Sequence, residues 1–405
     1  MSSAPSSFGW LLSGRAPSTR PDAGRSYPPG SRFPLLPGVR SRLVTTERLV
    51  QHVYESGPED GEPLVMLHGN LASGRFFEGI MAALTEYRVI APDLRGFGAS
   101  EPRVVDATRG VRDFSDDLEA LAEAMSLGPL HVAGWSLGGN VALRYLMDYP
   151  RRVRSLTLIA PGSPYGYGGS HGPLGRPNYG DFAGSGAGLV RREVVRHLRA
   201  RDFGVASLFS PRAMFRRGYV KAHTSISRTR EDVLVEQMLL AATGDEHYPG
   251  DSVVSRNWPH TAPGVFGPNN AVSPKYLNQS GLAEARHKPP ILWLRGANDR
   301  LVSDAALTDP GTLGKLRLMG GWPGEVVCPP QPMVTQTRTL LQRYAANGGI
   351  FWEEVIANCG HSPHLEHPAT VVALLRLFFA RIGGRGASQQ PGADTGDAIL
   401  EAEDA

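Results

Sequence analysis

The run Leu130-His-Val-Ala-Gly134-Trp-Ser136-Leu-Gly138-Gly-Asn140 constrains the fold more than any other stretch of this chain. It reads as an apolar strand, a Gly-x-Ser-x-Gly turn and a helix over 141–149. Glycines two before and two after a serine permit a sharp strand-to-helix turn that lifts the hydroxyl clear of the backbone. The turn also leaves Ser136 at a helix N-terminus, where free backbone N–H groups steady developing negative charge. The pentapeptide alone is short enough to be an ordinary Gly/Ser turn. The strand before it and the helix behind it mark Ser136 as a candidate nucleophile.

Around this run, short apolar segments alternate with helical patterns. Strands are expected at 63–67, 88–91, 130–135, 153–159, 291–294 and 349–356. Helices are expected at 76–84, 114–125 and 369–382; in the second, Phe114, Leu118, Leu121, Ala122 and Met125 recur at three to four residues and define one apolar face. Such alternation implies right-handed crossovers, hence an α/β chain with a mostly parallel central sheet and helices on both faces. Residues 162–287 break the rhythm, opening Gly/Tyr/Pro-rich and continuing with Arg-rich helical patterns at 190–201 and 233–242. A structureless loop of that length is improbable, so it reads as a lid subdomain over the carboxyl ends of the strands. A second insertion, about 305–345, has a Pro-rich core at 322–332 and a helical end at 336–346. The division is then a flexible arm at 1–40, core at 41–161, lid at 162–287, core at 288–383 and a flexible acidic tail at 384–405.

Three groups, Ser136, Asp299 and His361, each follow the carboxyl end of an expected strand, the edge where open α/β sheets bind ligands. A serine hydroxyl needs a base to take its proton, which a histidine can do and later reverse. A carboxylate on the other ring nitrogen fixes the tautomer and stabilises the imidazolium. Asp304 and Asp309 follow closely enough to compete with Asp299.

The segments HGN (68–70), PDLRGFGAS (92–100), GWSLGG (134–139), GANDRLV (296–302) and GHS (360–362) resemble the α/β-hydrolase fold family, in its order, over residues 45–383. The resemblance implies that fold with an inserted lid, Ser136 as nucleophile, Asp299 as acid and His361 as base. It also implies an oxyanion hole built from the backbone N–H groups of Leu137 and Asn70. Relatives that open epoxides or remove halides carry Asp where this chain has Ser136. Asn70 stands where haloalkane dehalogenases hold halide, a role that serine beneath it argues against. What remains is a serine hydrolase of an ester, lactone or related acyl compound, working through an acyl-serine intermediate. A thioesterase or acyltransferase uses the same groups, and a ligand-binding protein on this scaffold is a third reading.

Other residues have quieter readings. Asp93 is expected to tie the Arg95-Gly96 turn, and His68 to shape the oxyanion loop. Trp135 should point away from Ser136 into the core, and Cys359 should pack. His361, His364 and His367 are spaced like no trusted zinc motif, so no metal is expected. The lid carries Arg191, Arg192, Arg196, Arg199, Arg201, Arg212, Arg216, Arg217 and Lys221, either a solvated face or an attractor of anionic substrate. Tyr165, Tyr167, Tyr179, Phe182, Phe203 and Phe209 would line a pocket or form the lid's own core.

Across the 405 residues, 42 basic residues against 39 acidic give no argument for a nucleic-acid partner. Two cysteines cannot make a disulfide framework, which fits a cytoplasmic location. No apolar run approaches the roughly 18 residues of a membrane span, and no secretory h-region precedes residue 41. No dinucleotide fingerprint or phosphate loop follows a strand, so no cofactor is expected. The partner is a small acyl molecule; the sequence does not decide the oligomeric state.

Overall fold

The computed structural model describes residues 26–222, 224 and 226–383. Eight strands form one sheet: β1 (Val39–Thr45), β2 (Val50–Ser56), β3 (Glu62–Leu67), β4 (Tyr87–Pro92), β5 (Leu130–Trp135), β6 (Val153–Ile159), β7 (Ile291–Gly296) and β8 (Phe351–Ile356). Their spatial order is β1-β2-β4-β3-β5-β6-β7-β8. From β4 to β8 every neighbouring pair is parallel; β1–β2 and β2–β4 are antiparallel. Parallel pairs need long crossovers. Helices α1 (Glu78–Ala83), α2 (Arg112–Ala124) and α3 (Leu137–Asp148) lie in the first three of them. All six residues of β5 are buried, as a strand covered on both faces requires. The expected mostly parallel α/β sheet is therefore the one observed.

Strands β1 and β2 are absent from the sequence reading for a physical reason. β1 reads Val-Arg-Ser-Arg-Leu-Val-Thr, with charges that blunt a sheet edge and mask its alternation. β2 buries Gln51, His52 and Glu55. Each has its partner elsewhere: Glu55 with Arg40 and Arg42, His52 with Asp93, and the Gln51 amide with the Asp93 carbonyl.

Between β6 and β7 lies a cap that contains α4 (Arg192–Arg199) and α5 (Arg228–Met238). Among the described residues its ladders are pairs of two or three residues. Cap residues Val194, Leu198, Phe215, Leu234 and Met238 belong to the same apolar cluster as the sheet, so the cap is seated on the body. The second insertion ends in α6 (Met333–Ala346), and α7 (Pro368–Gly383) closes the described chain. Gln331 and Gln336 of that insertion hydrogen-bond to Gly166, Gly168 and Gly172 and to the Ser163 hydroxyl, buttressing the first turn of the cap. No helix among the described residues is long and apolar enough to cross a membrane.

Part of the expected arm at 1–40 is described. Residues 1–25, like the tail at 384–405, lie outside the described residues. Residues 26–38 form a strap held by charge. The Ser31 hydroxyl donates to Glu236 on α5 at 2.5 Å, and Arg32 reaches the same carboxylate through its backbone N–H and Nε at 3.0 and 3.1 Å. Buried Arg75 donates to Ser31 at 2.7 Å and to the Pro34 carbonyl. Glu78 accepts the Leu36 N–H at 2.6 Å and pairs with both Arg75 and Arg230 of α5. Composition hid this strap because its anchors are polar groups on distant elements.

Glu78 is thus the shared anion of two arginines at an almost solvent-free site. Glu78→Ala is expected to lower the unfolding free energy by about 3 kcal/mol or more, because it leaves buried cations unpaired. Urea denaturation checks this. A loss below about 1 kcal/mol, the scale of an exposed pair, would show that the cluster contributes no more than a surface contact.

Candidate active site

The elbow is set by close backbone packing. Ser136 has φ 55° and ψ −119°, a conformation that costs a non-glycine residue roughly 1–3 kcal/mol. The surrounding structure enforces it. A Cβ on Gly134 would lie 2.2 Å from the Gly138 carbonyl oxygen, and one on Gly138 would lie 2.1 Å from the Leu67 carbonyl oxygen. The two flanking glycines are therefore demanded by contact between β5, α3 and the end of β3. Helix α3 begins at Leu137, four residues before the expected start, since the turn itself is its first cap.

Asp299 and His361 follow β7 and β8, which are neighbours in the sheet. Asp299 Oδ2 lies 2.8 Å from His361 Nδ1. Asp299 Oδ1 accepts the backbone N–H groups of Leu301 and Val302 at 2.8 and 2.9 Å. A carboxylate facing Nδ1 places the proton on that nitrogen and leaves Nε2 free to accept. The competing acids are engaged elsewhere. Asp304 accepts from Val334 and Thr335 at the start of α6. Asp309 accepts from Thr312 and Gln331, and burial pushes its carboxyl up.

His361 is itself gripped from behind. The Trp135 indole N–H donates to the His361 carbonyl at 2.8 Å. Glu366 accepts the Gly360 N–H at 2.9 Å and, across the cap boundary, the Lys221 N–H at 2.8 Å. Trp135 is core, as expected, yet it also lines the site and positions the histidine loop; sequence distance hid that partner. His364 and His367 have partners of their own. His364 is buried between Phe77 and Trp135, with ring centroids at 4.9 and 4.7 Å and neither ring nitrogen bonded. His367 Nε2 lies 3.3 Å from the Asn358 carbonyl. Burial pushes the Cys359 thiol up, consistent with packing.

The loop after β3 crosses over Ser136: a Cβ on Gly69 would sit 3.0 Å from the Ser136 Cβ. His68 Nε2 accepts the Leu94 N–H at 2.9 Å, so its proton must sit on Nδ1, which donates to the Gly69 carbonyl at 2.7 Å. That carbonyl shares a peptide with the Asn70 N–H, and the two point oppositely. His68 therefore aims and polarises the Asn70 donor. Neither the Asn70 nor the Leu137 N–H has a hydrogen-bond partner among the described residues. Asp93 does other work than expected: it binds Gly74 N–H, Ala99 N–H and His52, while Arg95 turns to Asp117.

Ser136, His361, Asn70 and Leu137 open on one cavity of about 330 Å³. The Ser136 hydroxyl makes no hydrogen bond to His361 in this structure. Two cap residues missed by the sequence reading stand beside them. The Tyr219 hydroxyl donates to the Asn70 carbonyl at 2.6 Å, and the Tyr219 ring meets His361 edge-on. The one available signal was structural: Tyr219 ends a π-helical turn, a feature frequent at functional sites. Asn269 accepts from the Asn70 side chain at 2.7 Å. Of the expected lid aromatics, Tyr167 reaches the cavity, and its hydroxyl binds the Leu301 carbonyl behind Asp299 at 2.8 Å.

The sequence model of one family, described as alpha/beta hydrolase fold, matches residues 62–313. A curated relative, the putative carbamate hydrolase RutD of Variovorax paradoxus, is 37% identical over 110 residues, which are 27% of this chain and 41% of that protein. The uncharacterized carboxylesterase nap of Bacillus subtilis is 33% identical over 128 residues, 31% of this chain and 42% of that protein. The chain thus spans less than half the length of these relatives. The crystal structure of a putative aryl esterase from Burkholderia cenocepacia superposes with a TM-score of 0.54 at 21% identity, covering 85% of this chain and 100% of that one. At that identity the likeness is one of fold.

Burial holds His364 well below the usual histidine range, with His361 and Arg230 adding repulsion, and burial lowers His68 as well. An unfolded histidine titrates near 6.5. Below that pH the unfolded chain binds protons that the folded chain refuses, so stability is full above it and falls as pH drops, by up to about 1.4 kcal/mol per pH unit and proton. The urea midpoint is expected to fall between about pH 7.5 and about pH 5. His364→Phe, which keeps rings against Phe77 and Trp135, should show a smaller fall. An equal fall in both proteins would exclude His364 as the source.

Proposed function

Because the chain belongs to the alpha/beta hydrolase fold family, we propose that it hydrolyses a carboxylic ester or related acyl compound through an acyl-serine intermediate. One observation carries the reading. A strained serine, a histidine bonded to a buried carboxylate, and two backbone N–H groups without partners among the described residues meet at a single cavity.

In this reading His361 Nε2 takes the Ser136 proton as Oγ adds to the acyl carbon. The oxyanion that forms is met by the N–H groups of Asn70 and Leu137. Asp299 stabilises the imidazolium, which passes its proton to the departing alcohol. A water molecule, deprotonated by the same nitrogen, then adds to the acyl carbon. Ser136 leaves with the proton, and the acid is released. Hydrogen bonds between a serine and its base are often long in unliganded structures and tighten when substrate binds. A thiol leaving group passes through the same steps. The names of the two curated relatives, one a carbamate hydrolase and one a carboxylesterase, support acyl hydrolysis as a class.

A fluorophosphonate probe should label the protein, with the adduct on the Ser136 peptide by mass spectrometry. Ser136→Ala should abolish the label. It should also lower the rate on p-nitrophenyl acetate by about a thousandfold or more, with Asp299→Asn close behind. An unlabelled wild-type protein beside a labelled control hydrolase, or an adduct on a different serine, would overturn the reading.

A further inference from the structure

The cavity above Ser136 has an uneven charge. Among the described residues its wall contains one with a fixed charge, Arg191, and no Asp or Glu. Two neighbouring cap arginines are neutralised: Arg212 and Arg216 bind Glu231, and Arg212 also binds Asp232. Arg191 has no carboxylate partner among the described residues; its guanidinium lies 5.7 Å from the Phe209 ring centroid. It is exposed at the N-cap of α4, at the rim, while Val194 one turn on is buried.

A second donor is set by a relay of obligate hydrogen-bond directions. The Leu71 backbone N–H can only donate, and it meets Asn70 Oδ1 at 3.2 Å. That fixes the Asn70 amide, whose Nδ2 then donates to Asn269 Oδ1 at 2.7 Å. Asn269 must therefore turn its NH₂ group away from Asn70, and that group has no partner among the described residues although the residue lines the cavity. A cation with an amide donor, no competing anion and otherwise largely apolar walls suits an anion with two acceptor oxygens on an apolar chain. Charge-assisted hydrogen bonds of this kind are about twice as strong as neutral ones.

We propose that the substrate carries a free carboxylate in addition to its scissile acyl group, and that Arg191 and Asn269 seat it. This deepens the hydrolase reading and rests on it for the ester half of the substrate. The seat selects half-esters of dicarboxylic acids over neutral esters of equal length, and it disfavours amines.

The test compares the mono-p-nitrophenyl ester of glutaric acid with p-nitrophenyl valerate, matched in chain length, as a ratio of kcat/KM within each protein. Wild type should prefer the charged ester about tenfold or more. Arg191→Gln should remove about that factor from the ratio. Asn269→Asp keeps the oxygen that Asn70 uses and replaces the NH₂ group by an anionic oxygen, so it should depress the ratio at least as far. Arg196→Gln, exposed on the same helix and away from the cavity wall, should leave the ratio unchanged. In parallel, calorimetry with glutarate reads the seat without catalysis, with binding expected in wild type and weakened about tenfold by either substitution. No preference in wild type, or an equal loss in Arg196→Gln, would overturn the seat while leaving a hydrolase. Arg191-dependent glutarate binding without turnover of either ester would instead leave the seat and remove the esterase.

Discussion

The site depends on one constraint: the backbone at Ser136 must turn where α3 and the end of β3 leave no room for a side chain on the flanking glycines. The strain at Ser136 is held by contacts that α3, β3 and β5 make for packing reasons. The first N–H of α3 is left open because the helix starts in the turn, so the candidate nucleophile and one open donor come from a single backbone event. Rigidity of this kind suits preorganised electrostatics, where donors already point at the charge that will develop.

Around the elbow, most supporting side chains act on backbone groups. His68 holds the Gly69 carbonyl, Tyr219 the Asn70 carbonyl, Trp135 the His361 carbonyl, and Glu366 the Gly360 N–H. Burying a polar group without a partner is costly, so each bond also fixes a loop that would otherwise have several conformations. Two supports, Tyr219 and the Lys221 N–H, belong to the cap. The cap therefore does more than cover the site; it braces the Asn70 loop and the His361 loop.

What was legible in the sequence was local. Ser136 announced itself through neighbouring glycines, and Asp299 and His361 through their places after apolar strands; the sheet brings the latter two into contact. The family resemblance directed attention to Asn70 and Leu137. Partners supplied by distant segments were not legible. Asn269, Tyr219 and the bond from Trp135 to His361 join residues separated by a hundred positions or more, and no periodicity encodes such a meeting. β1 and β2 escaped because charged edge residues and buried ion pairs imitate a loop. Asp93 was placed in the right turn, but its carboxylate goes to Gly74, Ala99 and His52 instead of to Arg95.

The strap before β1 bears on how this protein can be shortened or joined to another. A chain trimmed to the first strand at Val39 would discard Ser31, Arg32 and the Leu36 N–H. Glu236, on the helix that also ties Gln237 to Ser73, would face its surroundings uncompensated. A minimal body drawn around the sheet alone would thus carry a loosened roof over the cavity. Any shortened form should therefore keep the strap of residues 26–38 in place.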